Sequence, residues 1–206
     1  MSTYLRCAYA FAELVAAVGA DRWDDPALGT WSIRTLVGHT GRSFDTVIAY
    51  AAHPEPEDIN TPTAQDYYLT LTADDGPLGP GSDTSAIDAR AIAAGVALGG
   101  DPTSAIAAKI SEVTTVLAAQ PAQRRVEVIF GLTMPLPEYL RTRVFELVVH
   151  TLDLSSAIGT SHALPPDAIA DMTRLAAAIA ASSDQAERVL LALTGREPLP
   201  AGFSVV

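Results

Sequence analysis

A chain of 206 residues, 49% hydrophobic and 18% charged, has the material for one domain with a real core and excludes both a disordered polymer and two comfortable domains. Its formal net charge of −11, with Lys109 the sole lysine, repels phosphate backbones and anionic lipid, so nucleic acid and membrane drop out as expected partners. A single cysteine, Cys7, has no internal disulfide partner and cannot build a zinc ribbon or a C-x-x-C redox pair.

Apolar residues recur at helical spacing from residue 3 to 19 (Tyr4, Leu5, Ala8, Phe11, Leu14, Val15), and Gly19 stops the run before the acidic turn "ADRWDDP". Cys7 belongs to this stripe, where packing is its expected role. The N-terminus lacks a basic stretch followed by an apolar leader, and no apolar run nears the roughly 20 residues that span a bilayer, so a cytoplasmic protein is expected.

A second helix opens within "TWSIRTLVGHTGRSFDTVIAYAAHP": Ser32 is a good N-cap, Trp31 can pack back onto the helix, and Pro54 closes it. From His53 to about Ser82 the chain turns rich in proline, glycine, threonine and acids, with one short amphipathic piece at Asp66 to Leu71. A connection this long inside a domain is read as a covering loop over a pocket.

Residues 84–98 and 103–119 are alanine-rich and helical in period, broken at "LGGDPTS". "RRVEVIFGLTMPLP" is β-branched, but Pro135 and Pro137 forbid a central strand, which leaves a connector or a lone edge strand. A helix from about Pro137 to Ile158 ends at Gly159, and two more follow, Pro166 to Ala181 and Asp184 to Leu193. Residues 1–206 thus read as a single all-α domain, an up-and-down helix bundle with additional short C-terminal helices.

On the last long helix Arg143, Glu146, His150 and Asp153 are spaced by three, four and three residues and so share one face. Val144, Leu147, Val148 and Leu154 demand burial, which draws these polar groups partly out of water, and a buried carboxylate or imidazole needs a partner. Glu146 and His150, one turn apart, can converge on a divalent ion. The third ligand has to come from His39, His53 or His162. His39 is favoured, because it lies mid-helix at the edge of the inward stripe. Gly38 and Gly41 flank it, and helix-interior glycines cost about 1 kcal/mol each against alanine, which implies close approach of another helix or a ligand. His53, before a proline at a helix end, and His162, in a loop, are expected to face solvent. Without a metal, the same residues read as an i, i+4 pair and a hydrogen-bonded core histidine.

In combination, "WSIRTLVGHTGRSFDTVIAY" and "YLRTRVFELVVHTLDLSSAIG" resemble the second and fourth helices of the mycothiol-dependent maleylpyruvate isomerase N-terminal domain, part of the DinB-like metalloenzymes, and "LLALTGR" is similar to that family's ending. The resemblance implies a DinB-like four-helix bundle holding one divalent metal, typically zinc, through positions that fall here at His39, Glu146 and His150. It also implies an open fourth coordination position, mycothiol as thiol cosubstrate, and a small electrophile that receives the thiolate. Asp153 then reads as an acceptor for a ligating histidine's other ring nitrogen, with a surface carboxylate as the alternative. Arg143 and Arg141 suit bidentate contacts to substrate carboxylates, although Arg141 fits a surface charge better. Arg143 and Asp153 are accordingly the expected catalytic residues.

That isomerase carries a further C-terminal domain supplying a catalytic arginine, whereas two short helices and a tail follow the fourth helix here. S-transfer to another electrophile is therefore expected ahead of maleylpyruvate isomerisation. The reading from a different class is a non-catalytic metal-binding bundle acting as a ligand sensor or regulatory module, with the alanine-rich helices at 85–119 offering a homodimer surface.

Overall fold

The computed structural model describes residues 1–79, 81–83 and 85–206. In chain order its elements are α1 (Thr3–Ala16), β1 (Pro26–Leu28), β2 (Trp31–Ser32), α2 (Ile33–Ala52), α3 (Ala64–Thr72), α4 (Ser85–Ala97), α5 (Pro102–Ala118), β3 (Arg125–Glu127), β4 (Thr133–Pro135), α6 (Leu136–Ile158), α7 (Pro166–Ala181) and α8 (Ala186–Leu193), with a turn of 3-10 helix at Ile129–Gly131. No single helix among the described residues is long and apolar enough to cross a membrane.

Local chemistry sets the helix ends. The Ser32 hydroxyl accepts from the Thr35 amide to start α2, and the Asp101 carboxylate accepts from the Ser104 amide with Pro102 opening α5. α6 closes on Gly159 in the left-handed region (φ 68°), and the Arg22 guanidinium donates to the last carbonyls, Ile158 O and Ala157 O, each at 3.1 Å. α1 ends at Ala16, short of Gly19, because the Ala17 amide folds back onto the Leu14 and Val15 carbonyls.

α1, α2, α5 and α6 build an all-α four-helix bundle. α1 packs against α5 and α6, and α2 packs against the same two, so α1 and α2 face each other across the core. Phe11, Leu36, Phe44, Ile106, Leu147 and Leu154 are fully buried there. Tyr4 spans the diagonal: its hydroxyl donates to the Ser43 carbonyl at 3.2 Å and its ring meets Phe44 edge-on at 6.3 Å. Cys7 is fully buried, and burial pushes its thiol up to about 11, as a packing role requires.

The alanine-rich pair is one path bent through 103° between α4 and α5. α4 crosses α2 at backbone contact. A Cβ on Gly38 would stand 2.2 Å from the Gly95 amide nitrogen, and one on Gly41 would stand 3.0 Å from Ile106 Cδ1 of α5. Packing helices, then, explain both glycines beside His39.

Two segments differ from expectation. β3 pairs antiparallel with β4, Val126 opposite Met134, so the stretch read as a connector or lone edge strand is a hairpin, and its two prolines fall at or beyond the end of the pairing. The acidic turn after α1 conceals a second small pairing, β1 with β2. Strands this short carry no period for a sequence to display.

Within the covering segment, α3 is fastened at its first turn. Thr63 and Asp66 form a reciprocal capping box, and the Ala64 amide donates to Glu138 Oε2 of α6 at 2.9 Å. The C-terminal helices dock outside the bundle, where α7 is held to α6 by a two-bond Arg141–Asp171 pair and to α1 by Arg6–Asp167.

Candidate metal centre

α2 presents His39, and α6 presents Glu146 and His150, to the same point, where one ligand-capable atom from each lies within 4.8 Å of the others. The two imidazoles stand nearly perpendicular, at 88°, with ring centroids 5.1 Å apart. Helical geometry explains the α6 half: four residues place His150 Nε2 at 3.4 Å from Glu146 Oε2. A three-residue step then brings Asp153 Oδ2 to 3.0 Å from His150 Nδ1, placing a carboxylate oxygen to accept from that ring nitrogen.

His39 is held differently. The Trp31 ring lies 4.6 Å from it, centroid to centroid, and the indole N–H donates to Asp88 Oδ1 of α4 at 2.8 Å. His39 Nδ1 is buried and has no hydrogen-bond partner among the described residues. A buried ring nitrogen without a partner forfeits about 1–3 kcal/mol. Two imidazoles and one carboxylate at these separations fit a divalent ion.

Charge in the cluster follows from its surroundings. Burial and then the neighbouring His150 lower His39 to about 4, which keeps it neutral at pH 7. For Glu146 burial works upward, but the hydrogen bond from His150 and the charge of Arg143 overcome it and hold the carboxyl at about 2. His150 feels burial downward, and Asp153 and Glu146 outweigh it to raise the imidazole to about 9.

Beside the cluster opens a cavity of about 180 Å³, with His39 and Glu146 in its wall. Tyr50, Tyr67, Tyr68 and Tyr139 form much of that wall, and burial raises the phenols of the last three, so they stay neutral donors. Arg143 faces the cavity between two of them, 5.1 Å from the Tyr139 ring centroid and 6.0 Å from that of Tyr67, with Nε donating to Thr142 Oγ1 at 3.1 Å.

The sequence-derived residues therefore divide. His39, Glu146 and His150 converge, Arg143 lines the adjoining cavity, and Asp153 touches His150. Arg141 instead ties α6 to α7, and His53 sits exposed at the end of α2. His162 is half-buried, contrary to expectation, because its Nδ1 accepts from the Leu164 amide at 3.3 Å. Sequence reasoning missed Tyr68, whose hydroxyl lies 3.2 Å from Glu146 Oε1, and Asp88. The signal for Tyr68 was present as the aromatic pair Tyr67–Tyr68, which demands burial within an otherwise polar segment.

A four-helix bundle that gathers such a cluster from its second and fourth long helices is of the DinB-like class. The chain belongs to the mycothiol maleylpyruvate isomerase N-terminal domain family, whose model matches residues 4–155. That span takes in α1 through nearly all of α6 and ends before α7. Neither the curated proteins nor the solved structures compared include a match to this chain.

Proposed function

We propose that the protein is a metal-dependent enzyme that uses the thiol of mycothiol to modify a small electrophile, as an S-transferase or as a cis–trans isomerase of the maleylpyruvate type. His39, Glu146 and His150 would hold the ion, and zinc is the simplest occupant for that donor set. Three protein ligands leave a position for an exchangeable group, and what the bound ion supplies there is a thiol held as thiolate near neutral pH.

Side chains of this chain supply the rest. Asp153 orients His150 through Nδ1 and leaves Nε2 facing Glu146. Arg143, which cannot lose its proton, sets a fixed positive charge at the cavity where oxygen atoms of an attacked electrophile gather negative charge.

The observation that carries this reading is the unpartnered, buried Nδ1 of His39 inside a cluster whose ligand atoms lie within 4.8 Å of one another. Metal analysis of the purified chain is expected to find zinc at close to one equivalent, with affinity at least about a hundredfold weaker in His39→Ala. Metal-free protein from metal-replete cells would overturn it. Mycothiol is expected to release heat on titration into the zinc-loaded chain and none into the stripped chain. Turnover of activated alkenes or epoxides with mycothiol, abolished in Glu146→Gln, would exclude a purely ligand-sensing bundle.

A further inference from the structure

The cavity wall combines guanidiniums with apolar side chains. Helices α2, α4 and α6 contribute Arg42, Arg90 and Arg143. None of the three has a described carboxylate at ion-pair distance; Arg34, Arg174, Arg188 and Arg196 share that lack, but only these three line the cavity, while Arg6, Arg22, Arg124, Arg125 and Arg141 each sit on an aspartate or glutamate. Glu146 is the only acid among the lining residues, and it is engaged by His150 and Tyr68. In a chain of formal net charge −11, three guanidiniums left without acids around one cavity reverse the local field.

The apolar wall comes from Leu71 of α3, Ile87 of α4, the loop after α3 and the tip of the β3–β4 hairpin. There Leu78, Ile129 and Phe130 line the cavity and remain 39%, 38% and 60% exposed. Phe130 is the one non-glycine residue with positive φ among those described, at 61°. A bulky side chain is strained in that region and glycine is not, so the hairpin keeps an aromatic ring at the cavity edge where a glycine would relax the turn.

We infer that the electrophile is an amphiphilic carboxylate: a small organic acid whose carboxylate is taken by Arg42 and Arg90 and whose apolar body, several carbons long, lies against Leu78, Ile129 and Phe130. Planar guanidiniums match a carboxylate by paired hydrogen bonds, and the apolar lip gains by covering hydrocarbon. The inference rests on the site being the electrophile pocket proposed above, and it commits that pocket to a chemical class.

Ligand-observed NMR titration of the full chain with straight-chain carboxylates from butanoate to octanoate, with and without zinc, tests it. Affinity is expected to rise up to about fourfold per added methylene, the equivalent of one buried CH₂. Hexanol is expected to bind at least about tenfold more weakly than hexanoate, and Arg42→Gln to weaken hexanoate by a similar factor that Arg42→Lys partly restores. Phe130→Gly, which relieves the turn and so keeps the fold, is expected to flatten the chain-length dependence while leaving butanoate unchanged. Equal binding of hexanol and hexanoate, or no dependence on chain length in the unaltered chain, overturns the inference. So does carboxylate binding that vanishes without zinc, since the carboxylate then sits on the ion; that result leaves the metal centre standing. Carboxylate binding in a chain that takes up no zinc does the reverse, supporting the anion pocket and removing the metal reading.

Discussion

Two pairs of helices share one core and do different work. Those of α1 and α5 bury Cys7, Ala8, Phe11, Leu14, Ile106, Ile110 and Val113, with the Tyr4 hydroxyl as the polar exception. α2 and α6 bury Thr40, Ser43, Thr142 and Thr151 in the same interior and carry His39, Glu146, His150 and Asp153 at its edge. Their threonines close hydrogen bonds onto their own helices, Thr40 to Leu36 O at 2.8 Å and Thr142 to Tyr139 O at 2.7 Å, so those groups add little strain. The cost of desolvating a titratable cluster on one packed pair, α2 and α6, is offset by the apolar packing that α1 and α5 provide.

Substitutions on the two pairs separate packing from metal affinity. Phe11→Ala, which empties a fully buried aromatic site on α1, is expected to lower unfolding free energy by about 3–5 kcal/mol in denaturant titration. Zinc stoichiometry under native conditions should stay as it was. A variant that kept its stability but lost the ion would break the division of labour. Asp153→Ala acts in the opposite sense: competition titration should show metal affinity down by about 10- to 100-fold, as when the group behind a ligating histidine is lost, with little movement of the denaturation midpoint. A large stability loss with unchanged affinity would return Asp153 to the role of a surface carboxylate.

Much of this arrangement is legible in the sequence, and the boundary has physical causes. Ser32, Pro54 and Gly159 mark helix ends through interactions a few residues long, so α2 and α6 stand almost where capping chemistry puts them. The common face of Arg143, Glu146, His150 and Asp153 follows from helical period alone. His39 is another matter: three histidines are eligible, its mid-helix place at the edge of the inward stripe favours it, and the family resemblance selects the same residue. Gly38 and Gly41 correctly signal a close approach, yet only the folded chain reveals that α4 and Ile106 are what approach. The hairpins were hidden because strands of two or three residues have no alternation to read. Contacts of Trp31 with Asp88 and of Tyr68 with Glu146 join residues 57 and 78 positions apart, through a fold-back of α3 and α4 that no local pattern encodes.

Tyr68 marks where the comparison should show its smallest effect. Its hydroxyl lies 3.2 Å from both the Thr142 carbonyl and Glu146 Oε1, and one proton can serve only one of them at a time. The Thr142 carbonyl already has the α6 ladder to satisfy it, so the carboxylate is the acceptor that loses a donor in Tyr68→Phe. Glu146 retains His150, and the phenyl ring keeps the packing against Phe145, whose centroid is 5.2 Å away. A single neutral donor to a charged, already partnered oxygen contributes on the order of 0.5–1 kcal/mol, so zinc affinity is expected to fall only about two- to fivefold. Metal competition on the purified variant measures it directly. A loss as large as that of Asp153→Ala would mean that α3, folded over from the covering segment, governs the carboxylate as strongly as α6 does; no change would mean that α6 alone aims it.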